Sequence, residues 1–301
     1  MTESTGVPEP GVEPGTEAER EPEHEAEHDA DVLFDDLPSN IDTDVFSVAR
    51  LYDFLLGGKH NFAPDRDFGR RLLAIEPNGR MILQQNRLWL ARAMRVMLAD
   101  GVRQFLDLGS GIPTQSYVHE LAHAVDPAAK VVYIDNDPPA VSHSNYILRG
   151  DANAGAVHAD MIDADRVLGD PTVKGLIDFS RPVGVTALAA WHFVADAEDP
   201  KGVLAAYRRM LAPGSYLALT HATIDGATGA TVRDVQSAYQ SVMKNPSPRT
   251  KEQIAEFFDG FEILEPGIVN LPAWRPDRPE DAEGAENVWF YGALGKLAAP
   301  A

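Results

Sequence analysis

The chain has 301 residues, with 46 acidic against 26 basic side chains, a formal net charge of -20 and no cysteine. The absence of cysteine excludes disulfides, Cys-ligated zinc, iron–sulfur clusters and thiol nucleophiles. The acidity gives a phosphate backbone little to hold, which argues against nucleic acid as a substrate. No run of about 18 apolar residues and no basic-then-apolar N-terminus occurs, so neither a membrane span nor a secretory signal is expected and a cytoplasmic location is.

The charge is unevenly placed. Residues 1–44 carry 15 Asp and Glu against Arg20 alone, which is -14 of the -20 and leaves the remainder only mildly acidic. Residues 1–40 are rich in Glu, Pro and Gly and nearly lack large apolar side chains, so burial cannot offset the entropy of ordering them. They read as a disordered acidic leader, with His24 and His28 as part of a solvated tail rather than as metal ligands. Residues 41–301 read as one domain, 41–100 a helical layer that lids a cofactor and 101–301 a sheet with its helices.

In VFSVARLYDFLLGG the residues Val45, Val48, Leu51, Tyr52 and Leu55 recur at helical spacing, and Gly57 stands where a helix stops. A second helix opens near Pro64. A third, NGRMILQQNRLWLARAMRVMLADG, presents Ile82, Leu88, Met94 and Met97 or their neighbours as its buried face, and Gly101 follows its end. The GGKHN segment lacks the spacing and the Ser or Thr of a phosphate-binding loop, so Gly57 and Gly58 read as helix-ending glycines. Lys59 and Arg50 are candidates for pairing with a carboxylate.

The stretch from Arg103 to Asp137 reads as strand, glycine turn, helix and strand, the layout of a nucleotide-binding βαβ half. PPAVSHSNYILRG supplies a helix starting at Pro138, and AVHAD a third strand ending in Asp160. The segment DADRVLGDPTVKGLIDFSRP is helical and loop-like, and the apolar VGVTALAAWHF suits the centre of a parallel sheet. A helix capped by Asp199 with Pro200 at its first position follows, then the fifth strand, GSYLALTHAT. Beyond it come a helix from Thr231 to Met243, one opened by the capping pair Thr250 and Gln253, and two strand-like segments, FEILEPGIV and NVWFYGALGK. With no helix between those two, one is expected to lie antiparallel at the sheet edge. The fold class is therefore α/β, a doubly wound, mostly parallel seven-stranded sheet with an N-terminal helical layer.

A dinucleotide turn needs G-x-G-x-x-G; this one reads Gly109, Ser110, Gly111, Ile112, Pro113, Thr114. The third glycine is missing, and Asp107, two residues ahead of the first, would repel a pyrophosphate. A cationic ligand would be attracted instead. S-adenosylmethionine is such a ligand, and the sequence offers a partner for each of its parts. Asp107 with the Gly109, Ser110 and Gly111 backbone suits the amino-acid end, Asp135 with Asn136 beside it the ribose hydroxyls, and Asp160 with the N–H of Met161 the adenine edge. Ala190, after the fourth strand, completes the expected floor.

These residues also carry a resemblance. The strings ARLYDFLLGGKHNFAPDR, RQFLDLGSGIPT, VVYIDNDP, LIDFSRPV, WHFVADAEDP and GSYLALTHAT resemble the bacterial S-adenosylmethionine-dependent methyltransferases long grouped as a domain of unknown function. The similarity runs from about Ile41 to Lys296. One departure is His60, at a position where many members have Asp. The resemblance implies a class I, Rossmann-like methyltransferase fold and the cofactor, and no particular substrate.

Methyl transfer from a sulfonium is an in-line displacement, so catalysis is mostly positioning, with a base where the nucleophile is a hydroxyl. His192, emerging with Trp191 at the carboxyl edge of the fourth strand, is the candidate base or acceptor-orienting group. His221 is placed in the same cleft, and Tyr52 and Trp191 are placed as its walls. Asp196, Glu198 and Asp199 cluster, but Asp199 is taken up as a helix cap and no metal is expected. The function expected is methyl transfer to oxygen or nitrogen of a small molecule. A nicotinamide oxidoreductase and a non-catalytic cofactor-binding module are the alternatives.

Overall fold

The computed structural model describes residues 1, 42–113, 117–226, 229–241 and 246–298. The expected leader thus lies outside the described residues, as does the end of the helix expected to reach Met243. Residues 37–301 form one compact unit.

Three helices come first: α1 (Val48–Leu55), α2 (Ala63–Ile75) and α3 (Gly79–Ala99). Ser47 caps α1, its Oγ accepting from the Arg50 N–H at 3.2 Å, and Gly57, at φ +82°, stops it. Val45 lies ahead of the helix and is exposed, so the apolar face begins at Val48. In α3 Leu88 is exposed while its neighbours Trp89 and Leu90 are fully buried, which rotates the expected face by one residue.

The ARLYDFLLGGKHNFAPDR segment is shaped by two buried carboxylates. Asp65 accepts from the Ser47 and Phe62 N–H groups, each at 2.9 Å, and from Arg50 Nε at 2.7 Å, with Arg50 and Asp65 both buried. Asp53 accepts from the His60 N–H at 2.7 Å and from Asn61 Nδ2 at 2.9 Å. A Cβ on Gly58 would stand 2.1 Å from Asp53 Oδ1, so the loop closes on this carboxylate only because that residue is glycine. Arg50 is thus paired, as expected, while Lys59 is exposed. The ring of His60 packs against His143 at 5.3 Å.

The sheet strands and helices follow in alternation: β1 (Gln104–Leu108), α4 (Val118–His123), β2 (Lys130–Asp135), α5 (Pro138–Ile147), β3 (Ala154–His158), α6 (Ala164–Gly169), α7 (Pro171–Leu176), β4 (Gly184–Leu188), α8 (Pro200–Met210) and β5 (Tyr216–Ala222). The C-terminal part supplies α9 (Gly229–Gln240), α10 (Lys251–Ala255), β6 (Phe261–Ile263), β7 (Val269–Asn270) and β8 (Phe290–Leu297). The caps expected at Asp199 and Thr250 are both formed.

The continuous path is β3-β2-β1-β4-β5-β8-β6, the seven strands expected, and the two-residue β7 pairs with β8 beside it. The first five strands of that path are parallel, and β8 runs against β5. The expectation of an antiparallel edge strand is corrected here: β8 is the reversed strand but lies inside the sheet, and β6 takes the edge by pairing antiparallel with it. The order reverses between β1 and β4, which places the switch point, where ligands of such sheets bind, beside the ends of those strands.

Strand alternation assigns the two faces. Phe105, Val131, Tyr133 and Tyr216 pack with Trp89, Leu90 and Met94 of α3. Leu106, Leu108, Val132, Ile134, Leu217 and Leu219 pack on the opposite face. Asp107 and Asp135 therefore fall on the α3 side, and His221, one residue after Thr220, falls on the other.

Candidate functional site

A cavity of about 400 Å³ opens over the carboxyl ends of β1, β2, β3 and β4, within the range of about 300–1,000 Å³ common to small-molecule sites. Gly109, Ser110, Gly111, Asp135, Asn136, Asp160, Met161 and Ala190 line it, and so does Tyr52 from α1. Its roof is the N-terminal layer, through Phe46 to Ala49 and Arg87.

The floor is built by the glycine turn. Gly109 and Gly111 have φ of +68° and +66°, a conformation glycine adopts without steric cost. The Gly109 and Ser110 N–H groups donate to the Ile134 carbonyl at 2.8 and 3.1 Å, tying the turn to β2. The Gly111 N–H donates to Asp135 Oδ2 at 2.8 Å, and the Asp137 N–H to Oδ1 at 2.9 Å. Asp160 lies two residues past the end of β3, its Oδ1 accepting from the Ile162 N–H at 3.1 Å and its Oδ2 from Asn136 Nδ2 at 3.4 Å. The Tyr207 hydroxyl donates to the Met161 carbonyl at 2.8 Å and fixes that segment. After β4, Ala189 sits at φ +52°, its N–H held by Thr220 Oγ1 at 2.9 Å. Such strain in a non-glycine residue costs of order 1–3 kcal/mol and is concentrated at functional sites.

Asp107 takes a different place from the one expected. It is buried beneath the turn and is not among the residues lining the cavity, because its register partner on β4 is Thr186, whose hydroxyl donates to it. Burial pushes its carboxyl up to about 6, against the opposing pull of Thr186 and of Arg87. Burial pushes Asp135 up to about 6 as well, with its backbone hydrogen bonds opposing. Two carboxyls raised at one site mark a place short of positive charge.

Sequence reasoning missed Arg87. Its guanidinium is stacked between two rings, 4.8 Å from the Tyr52 centroid and 4.1 Å from that of Tyr117, and its Nη2 donates to the Tyr117 hydroxyl at 3.1 Å. Burial works to lower its pKa, but Tyr117, Tyr52 and Asp107 outweigh this and raise it above its ordinary value. Its Nε is buried without a partner among the described residues. Asn86 Nδ2 donates to the Tyr52 hydroxyl at 2.9 Å and sets that ring. An arginine within α3, a helix that carries no acidic residue of its own, was the only available signal, and alone it reads as a solvated helix position.

A second cavity of about 120 Å³ adjoins the first and shares Val48, Tyr52, Ala189 and Phe193 with it. His192 lines this one, not the first. It is buried, and its Nδ1 has no partner among the described residues. Burial, helped by His221 and Arg249, holds its pKa well below the ordinary value, so the imidazole is neutral.

His221 and Trp191 do not wall these cavities, which corrects two expectations. Strand parity turns His221 away: Arg249 Nη1 lies 3.0 Å from its Nε2 and the Ala222 carbonyl 2.7 Å from its Nδ1, so both ring nitrogens are engaged. Burial pushes it down to about 3. Trp191 is fully buried in the core on that same face. The acidic cluster is also divided among separate tasks. Asp196 pairs with Arg249 at 2.6 Å, Asp199 caps α8, and Glu198 accepts from the Ala195 N–H at 2.8 Å. Among the described residues no three His, Asp or Glu side chains converge on a metal position.

The chemistry of the first cavity fits S-adenosylmethionine. The turn leaves room where a Cβ at Gly109 would meet Ala190, the carboxylates suit the ammonium, sulfonium and ribose hydroxyls, and the unpaired Nε of Arg87 suits the carboxylate. The family model for S-adenosyl methyltransferases matches residues 35–298. A Thermobifida fusca protein provisionally described as a methyltransferase is 36% identical, with a TM-score of 0.79 over 84% of this chain and 95% of that one. A DUF574 family protein from Streptomyces avermitilis is 35% identical, with a TM-score of 0.79 over 85% of this chain and 98% of that one. No protein of curated function matches. The chain belongs to the S-adenosyl methyltransferase family and is a class I methyltransferase that depends on S-adenosylmethionine.

Proposed function

We propose that the enzyme methylates a small molecule at oxygen or nitrogen, with the acceptor in the second cavity and the N-terminal layer as a lid over both. The observation that carries this reading is the shared wall of Val48, Tyr52, Ala189 and Phe193, which puts a mostly apolar space of about 120 Å³ directly beside the donor cavity. S-adenosylmethionine, when bound, supplies an electrophilic methyl group on a sulfonium. The protein's part is to hold and to shield. Asp135 and Asn136 hold the ribose end, Asp160 and the Met161 N–H the adenine edge, and the turn with Arg87 the amino-acid end. Asp107, one layer below, adds negative potential near the cationic groups.

His192 is the group we assign to receive the acceptor's proton. A neutral imidazole accepts a hydrogen bond, and burial keeps water from competing for it. The lid role of the N-terminal layer is supported by Ser47, whose hydroxyl caps α1 and also donates to Asp137 beside the ribose site. The test is isothermal titration with S-adenosylhomocysteine followed by turnover on a panel of small phenols and amines. Micromolar binding lost in Asp135→Asn, together with methyl transfer to at least one panel member, is the outcome expected. Transfer only to protein or nucleic acid would overturn it.

A further inference from the structure

The walls of the second cavity narrow the acceptor class. This step rests on the reading just given, that the acceptor enters there. Its lining is mostly apolar, with Leu51, Leu55, Leu72, Leu83, Val235 and Phe290 among its walls. Among the described residues its one charged lining residue, Glu76, already accepts from the Asn78 N–H at 2.9 Å. Arg249, the nearby cation on the far side of His192, is engaged with Asp196, the Val194 carbonyl and His221. An anion entering this space would lose its water with no counter-charge among the described residues to replace it. His192 is 6% exposed and offers an imidazole that makes no side-chain hydrogen bond among the described residues.

Size and shape act in the same direction. A dry cavity of about 150 Å³ holds a benzene ring, and the space here is about 120 Å³ with a further 80 Å³ continuing behind Phe193, Tyr239 and Trp289. Phe193 and Phe290 stand against His192 with centroids at 4.4 and 5.5 Å, the latter edge-on, so the site offers ring faces and edges to a flat guest.

The geometry points to an uncharged aromatic acceptor of one or two rings, bearing a single hydroxyl or N–H group hydrogen-bonded to His192. In the transfer, the acceptor's oxygen or nitrogen forms a bond to the methyl carbon as the carbon–sulfur bond breaks, and sulfur keeps that electron pair. The acceptor's proton passes to the His192 imidazole and from there to solvent after release. A weak base suffices, because the hydroxyl becomes strongly acidic as its oxygen is alkylated.

The full chain is first titrated with S-adenosylhomocysteine; absence of binding there would sink the donor site, and with it the whole reading. With that ligand saturating, 4-ethylphenol and its anionic counterpart 4-ethylbenzoate are titrated by calorimetry, and Trp289, which lines the cavity, is followed by fluorescence. The phenol is expected to bind at least tenfold tighter than the benzoate. Val235→Trp should abolish phenol binding while S-adenosylhomocysteine affinity stays within twofold. His192→Phe should erase the preference for 4-ethylphenol over 4-ethyltoluene. Equal or tighter binding of the benzoate, or phenol binding unmoved by Val235→Trp in a variant that still binds S-adenosylhomocysteine, would overturn the acceptor class and leave the donor site standing.

Discussion

A Cβ added to Gly109 would lie 2.5 Å from the Cβ of Ala190 and 3.2 Å from Met161 Sδ, so the glycine turn and the segment after β4 occupy one another's space. Gly109→Ala therefore combines a side chain in the left-handed region, worth about 1–3 kcal/mol, with overpacking that adds about 1–3 kcal/mol. Urea unfolding should show the sum. Adding Ala190→Gly should recover the packing share and leave the backbone share, so a double variant no more stable than Gly109→Ala alone would contradict the contact.

Arg87 separates the parts of the donor. Arg87→Met keeps the stacking length between Tyr52 and Tyr117 and removes the charge. S-adenosylhomocysteine affinity should fall about 10- to 100-fold, the scale of a charge-assisted hydrogen bond. 5′-Methylthioadenosine, which lacks the amino-acid group, should bind both forms equally. Equal losses for the two ligands would move Arg87 from binding to general support of the fold.

The raised carboxyls give the donor site a pH signature. Asp107 and Asp135 sit at about 6 in the folded protein against an ordinary 3.8. The sign for folding is that their contribution is fully present below the ordinary value and is lost as pH rises through about 6. A bound cation reverses the preference by favouring the ionised carboxylates. S-adenosylmethionine affinity should accordingly rise with pH across the window around 6, and binding there should release protons. Calorimetry in two buffers of different ionisation heat counts them; S-adenosylhomocysteine, without the sulfonium charge, should release fewer.

The Arg50–Asp65 pair ties α1 to the start of α2. Asp65→Ala leaves a buried guanidinium uncompensated and unties the Ser47 and Phe62 N–H groups, a loss of about 3–5 kcal/mol for breaking a buried pair. Replacing both partners, Arg50→Met with Asp65→Leu, should recover part of it. Thermal unfolding with and without S-adenosylhomocysteine reads both effects, and the single variant should also lose ligand-induced stabilisation because α1 roofs the donor cavity.

Local chemistry made much of this legible beforehand. Gly109, Gly111 and Asp135 lie within one βαβ half, where spacing and turn requirements act over few residues, and the caps at Asp199 and Thr250 are set by their own neighbours. What long-range pairing decides was not legible. Nothing in NVWFYGALGK says that its strand slips between β5 and β6. His221 was misplaced because the parity of β5 is fixed by the sheet and not by the residue. Asp107 went under the floor because the register of β4 sets Thr186 against it.

The division of wall residues has a bearing on redesign. Val48 and Tyr52 face both chambers, so on the proposed assignment of the acceptor substituting either should perturb donor and acceptor together. Leu72, Val235 and Trp289 face the second chamber and not the first. Variant libraries confined to α2, α9 and the residue preceding β8 should, on that assignment, shift which compounds are accepted while the nucleoside half keeps its grip, a modularity that follows from α1 lining both chambers.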